Sequence, residues 1–172
     1  MLLSPAEYYR QTKHQDRYVR RVMGEFDSAI SAGQRKRIAK CEQRGLFFMR
    51  STVQDCYPVI ADNRARKGRP YSMSLNDWLI LDTDPDTVYC FAVAPGTIAA
   101  AMCTRVEPHT LYVQAWGDRE GQEKLSPVAF LCRGIYHWCA ENDIDLLDIG
   151  TAPNHQSLVE FKQRLGFHLA NA

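Results

Sequence analysis

The sequence predicts an α/β (α+β) domain on one mixed sheet: an antiparallel meander, then β–α–β–α–β, with helices on both faces. Two stretches predict it. In the first, three β-capable apolar runs cover residues 87–94, 97–106 and 110–116. The tight turns Pro95-Gly96 and Glu107-Pro108-His109 separate them, so neighbouring strands run antiparallel. In the second, Ser126 to Phe167 alternates helix, strand, short helix and strand start. A length of 172 residues suits a single domain, 1–172, with a sizeable core.

The elements follow in chain order. Ala6 to Met23 reads as a polar helix with a partial apolar face from Tyr8, Tyr9, Tyr18, Val19 and Val22. Asp27 to Gln43 reads as a second helix, whole or interrupted at Gly33. Leu46 to Met49 reads as a short strand after Gly45. Val53 to Lys67 is helical, with Val53, Cys56, Tyr57, Ile60 and Ala61 on one face. Its last turn carries Arg64, Arg66 and Lys67, the favourable sign for the helix dipole. Ser74 caps a helix that holds Leu75, Trp78, Leu79 and Leu81.

After the meander, Gly117 to Leu125 is a polar loop. Ser126-Pro127 is a helix start: a hydroxyl cap, then a proline whose missing N–H is no loss there. Val128, Leu131, Ile135 and Trp138 give that helix an apolar face. Ile144 to Ile149 reads as a buried strand, with Asp148 near its end. Gly150, Pro153 and Asn154 make a loop, and Gln156 to Arg164 a short helix. Leu165-Gly166-Phe167 closes that helix and opens the last strand.

Hydrophobic residues at 45% and charged residues at 24% are ordinary for a globular protein. No apolar run reaches the roughly 20 residues that cross a bilayer. The start MLLSPAEYYRQ lacks a charged region ahead of a long apolar one, so the cytoplasm is the expected compartment. The 6 cysteines form no CxxC pair, and no histidine stands at zinc-site spacing beside them. Buried, reduced thiols and no metal are expected. Net charge is +1 but unevenly spread: residues 1–69 carry 15 basic and 7 acidic residues, residues 70–172 carry 6 and 13. The basic, mainly helical first part fits a phosphate-bearing partner, or else a solvated helix surface.

Four segments resemble the FemABX-type branch of the GNAT acyltransferases. They are RGLFF at 44–48 after a basic helix, RKGRPYSMSLNDW at 66–78, SPVAFL at 126–131, and LLDIG with FKQRLGF at 146–150 and 161–167. The resemblance implies a GNAT-like fold and transfer of an acyl or aminoacyl group to an amine. It implies aminoacyl-tRNA as donor, with acyl-CoA the alternative, and the basic first part is a candidate tRNA contact by its charge. Two departures stand beside it. Such enzymes usually have two GNAT-like domains. The Gly-rich loop by which acetyl-CoA enzymes hold pyrophosphate is replaced by Gly117 to Pro127, with three acidic residues and a proline. An acetyl-CoA-dependent N-acetyltransferase and a catalytically degenerate binding module are the alternatives.

The sequence offers no Ser-His-Asp order and no GxSxG elbow, so direct attack in a ternary complex is expected. By the resemblance, Lys162 stabilises an oxyanion or binds tRNA; otherwise it is a solvated helix lysine beside the core residue Phe161. Asp148, a carboxylate in an apolar strand, accepts a proton from the amine or makes a structural hydrogen bond. Tyr71, Ser72, Trp116, Asp118 and Phe161 are candidate substrate contacts. Ser126 and Asn154 are candidate donor contacts. His109, His137, His155 and His168 show no ligand spacing.

Overall fold

The structure is a computed structural model that describes residues 16–68, 74–81, 88–94, 96–152 and 155–170. In chain order the elements are β1 (Arg17–Arg21), a 3-10 turn (Phe26–Ala29), α1 (Ala32–Gln43), β2 (Phe47–Ser51), α2 (Val53–Arg66), α3 (Leu75–Leu81) and β3 (Val88–Ala94). Then come β4 (Ala100–Glu107), β5 (Thr110–Asp118), a second 3-10 turn (Glu123–Leu125), α4 (Pro127–Glu141), β6 (Leu146–Thr151), α5 (Gln156–Arg164) and β7 (His168–Leu169). The strands form one 7-stranded sheet in the order β2-β3-β4-β5-β6-β1-β7. Every pairing is antiparallel except β5 with β6. The meander is β3-β4-β5, as the two turn signals predict.

Side-chain oxygens fix the helix starts. Ser31 Oγ accepts the Gln34 N–H, and Thr52 Oγ1 accepts the Asp55 N–H. Ser74 and Asp77 exchange bonds both ways, since Ser74 N–H donates to the Asp77 carboxylate and Asp77 N–H to Ser74 Oγ. The expected break near Gly33 falls earlier, at Ile30-Ser31, and Gly33 lies inside α1.

β4 sends alternate side chains to opposite faces of the sheet. Ala100 and Met102 pack in the larger core with Leu131, Cys132 and Ile135 of α4 and Ile38 and Cys41 of α1. Ala101 and Cys103 pack on the other face with Val53, Cys56 and Ile60 of α2 and with Trp78 of α3. Helices therefore cover both faces. The described cysteines Cys41, Cys56, Cys103, Cys132 and Cys139 are buried free thiols. Burial pushes the Cys132 and Cys139 thiols up to about 12. No helix among the described residues is long and apolar enough to cross a membrane.

The first element corrects the sequence reading. Residues 17–21 lie in the predicted helix, yet they form β1, between β6 and β7. The burial alternates with period two: Tyr18 and Arg20 point inward. Arg20 disguised the pattern, because an inward arginine reads as polar. Its guanidinium donates to Leu165 O and Phe26 O at 2.7 Å each and lies over the rings of Phe26 (4.4 Å) and Tyr136 (4.7 Å). Burial lowers its pKa. Beside it Gly166, at φ +77, sits where a Cβ would stand 2.8 Å from Ala29 O, so the turn after α5 accepts only glycine without strain.

Candidate functional site

β5 and β6 part before they end. Their parallel pairing runs from Thr110↔Leu146 to Tyr112↔Asp148 and stops. On its other side, β5 shifts register against β4: Thr104 faces Val113 while Cys103 faces Ala115, which leaves Gln114 as an extra residue. Such a bulge bends a strand and increases its twist. The space opens at the carboxyl ends of two parallel strands, the usual place for a ligand in α/β sheets.

A cavity of about 400 Å³ lies there. Trp116, Gly117 and Asp118 line it from β5, and Ser126 and Val128 from the start of α4. His155, Ser157, Leu158 and Phe161 line it from α5 and its lead-in, Asn63, Arg64 and Lys67 from the end of α2, and Glu123 from the loop between. Trp116 and Phe161 stack with ring centroids 5.5 Å apart and planes at 19°. Gly117 allows α2 to lie directly on β5: a Cβ there would meet Asn63 Cβ at 2.7 Å and the Ile60 backbone at 3.1 Å.

That close contact positions the polar wall. Asn63 is 4% exposed and Asp118 9% exposed. The Asn63 amide donates to Asp118 Oδ1 and to the Asp118 main-chain oxygen. Arg66 donates to the same main-chain oxygen at 2.7 Å, to Asp62 Oδ2 at 2.9 Å and to Glu123 Oε1 at 2.9 Å. One guanidinium thus ties α2, β5 and the following loop together. A backbone amide bond, aided by Arg66, holds the Glu123 carboxyl below its ordinary range.

The structure thus gathers Trp116, Asp118, Ser126 and Phe161 around one cavity. Tyr71, Ser72 and Asn154 lie outside the described residues. Ser126 differs in detail from a hydroxyl cap. It adopts φ 53, ψ 52 and its side chain makes no capping bond. Pro127 accounts for its not being right-handed helical, since proline disfavours that conformation in the residue before it.

Lys162 is not the solvated helix lysine of one reading, and Asp148 makes the structural hydrogen bond of its alternative reading. Lys162 is 1% exposed and not solvated. Its ammonium donates to Ile149 O, Gly150 O and Thr151 O at 2.8, 2.9 and 2.9 Å. An ammonium has three donors, so none is left for an oxyanion or a phosphate. Burial pushes its pKa down to about 7, opposed by the nearby Asp148 carboxylate. Asp148 accepts from Arg17 Nε at 2.5 Å, from Arg17 Nη2 at 3.0 Å and from Gly150 N–H at 2.7 Å. As direct catalytic groups both would have to give up these bonds. In place they fix the end of β6 that runs toward the cavity. These two side chains hold the strand and are not among the residues that line the cavity.

Asn63, Arg64, Glu123, His155 and Ser157 are lining residues that the sequence reading did not single out for the site. Asn63 did leave a signal: it continues the Cys56, Ile60 face of α2, a polar residue where the helix should be apolar. Among the described residues no group of acidic, histidine or cysteine side chains is arranged to hold a metal ion.

An antiparallel meander, a parallel pair parting over a bulge and helices on both faces make up one mixed α/β fold. Solved structures share it. FemX matches with a TM-score of 0.77 at 10% identity, over 89% of this chain and 58% of that one. The C-terminal domain of a putative lysylphosphatidylglycerol synthetase from Agrobacterium fabrum matches with a TM-score of 0.57 at 13% identity, over 87% of this chain and 50% of that one. L-PGS from Bacillus licheniformis matches with 0.56 at 13% identity, over 86% and 51%. The chain spans about half the length of these structures. No family model and no curated protein matches it.

Proposed function

We propose that the cavity is an amide-forming acyl-transfer site, in which an amine attacks an aminoacyl ester carried by tRNA, directly in a ternary complex. The observation that carries this reading is the wall of the cavity. Stacked aromatics, a carboxylate and the cations Arg64 and Lys67 meet where β5 and β6 part. That mixture suits a donor with an apolar body, an ammonium and a phosphate. The fold likeness supports the aminoacyl part of this reading: one structure with this fold is named as the C-terminal domain of a putative lysylphosphatidylglycerol synthetase. The exposed basic run of α1, Arg35, Lys36, Arg37 and Lys40, offers a surface for tRNA phosphates. α1 touches the same site region, since Cys41 Sγ donates to Leu125 O.

The start of α4 counts against coenzyme A as donor. Pro127 has no N–H, and the Ala129 N–H is spent on Ser126 O. Few helix-end amides are left for a pyrophosphate, and Glu123 faces the same space.

The test is transfer itself. The full chain is incubated with tRNAs charged with radiolabelled amino acids and a panel of primary amines. Label is expected to move from the alkali-labile ester to an alkali-stable amide, and Trp116→Ala is expected to slow this at least about tenfold by removing the stacked wall. If no charged tRNA and no acyl-CoA yields amide, the enzyme reading is wrong and a binding module remains.

A further inference from the structure

We infer that Asp118 is the receptor for a primary ammonium group in this cavity; this rests on the transfer reading, because an aminoacyl donor and an amine acceptor each bring one. Asp118 is nine-tenths buried and lines the cavity. Its Oδ1 is held by Asn63. Its second carboxylate oxygen takes no hydrogen bond among the described residues. Gln34 Oε1 is the one sealed side-chain oxygen or nitrogen without a partner among the described residues, so this oxygen of Asp118 is not fully enclosed.

The charge is equally unanswered. No lysine or arginine among the described residues forms an ion pair with Asp118. The adjacent Arg66 donates to the main-chain oxygen of Asp118, and its own charge is matched by Asp62 and Glu123. A carboxylate taken this far out of water without a cation is costly unless a ligand supplies one. The Trp116 and Phe161 rings line the same cavity and favour a cation over a neutral amide there. Asn63 sets the direction: by holding one oxygen it turns the other toward the ligand.

The ammonium has two possible sources, the α-amine of the donor and the acceptor amine, and two probe pairs separate them. Puromycin, an aminoacyl-nucleoside amide with a free α-amine, is compared with N-acetylpuromycin. Nα-acetyl-lysine methylamide is compared with its Nε-acetyl form. Calorimetric titration of the full chain reads each affinity. A hydrogen bond to a charged partner predicts that the ammonium member of one pair binds about 10–100-fold more tightly. Asp118→Asn, which keeps an oxygen for Asn63, should reduce that preference to within about threefold. Preference in the puromycin pair assigns the donor amine, and preference in the lysine pair the acceptor. If each pair binds equally well, or no probe binds, the inference is overturned, while the transfer assay decides the parent reading separately. Should Asp118→Asn fail to fold, Glu123→Gln, at the other carboxylate lining the cavity, is expected to keep the preference, and its loss there overturns the inference.

Discussion

Replacing Lys162 by methionine probes the most enclosed charge of the site region. The ordinary lysine pKa of 10.5 falls to about 7 in the folded protein. Below pH 7 the side chain is charged in both states, and folding bears the full cost of burying the ammonium. Between pH 7 and 10.5 the unfolded chain binds more protons, so stability rises with pH. At about 1.4 kcal/mol per pH unit the span is worth on the order of 5 kcal/mol. Three carbonyl bonds to the ammonium work against the drop, so a gain of roughly 2–5 kcal/mol is expected. Cys132 and Cys139 act in the opposite sense: their raised values make stability fall above the ordinary thiol range. The difference between the protein and Lys162→Met cancels them. Urea unfolding of both at half-unit steps from pH 6 to 10 gives that difference. The unaltered protein should gain on the variant steadily above pH 7. Parallel curves across the window would refute the reasoning, because Lys162 would then titrate alike folded and unfolded.

Two further outcomes follow from the packing. Gly117→Ala puts a methyl group into Asn63 and the α2 backbone, and should cost about 1–3 kcal/mol in thermal unfolding by overpacking. Arg17→Leu leaves Asp148, whose side chain is 4% exposed, without its cation and should cost roughly 3–5 kcal/mol in urea unfolding, of which Arg17→Leu with Asp148→Leu should recover a large part.

The sequence carried most of the fold because its signals were local. Pro95-Gly96 and the turn at His109 separate the meander strands, and α5 spans Gln156–Arg164 as its periodicity predicts. It failed at residues 17–21, where Arg20 is buried against Phe26 and against the Tyr136 ring and the Leu165 carbonyl, the last two more than a hundred positions away. No local pattern announces such a partner. Lys162 failed for a different reason: its acceptors are carbonyls of β6, and main-chain acceptors leave no mark in the sequence. The aromatic and acidic candidates at 116, 118 and 161 line one cavity. They sit at strand and helix ends, and the parting of β5 from β6 brings them to one cavity. Nothing in the residues around Gln114 announces the bulge that opens it.

The place of β1 in the sheet sets an order on folding. It is the first described strand to leave the ribosome, yet its partners β6 and β7 are the last. The Arg17–Asp148 pair closes a separation of 131 residues. Until β6 emerges, β1 is an unpaired strand carrying exposed Tyr18 and Val19, ready to add to a wrong edge. Contacts this distant in sequence slow folding and favour intermediates. Docking of β1 is therefore expected as a late refolding step, read as slow recovery of Arg17–Asp148 contact after β6 has formed, and simultaneous recovery of both would count against it.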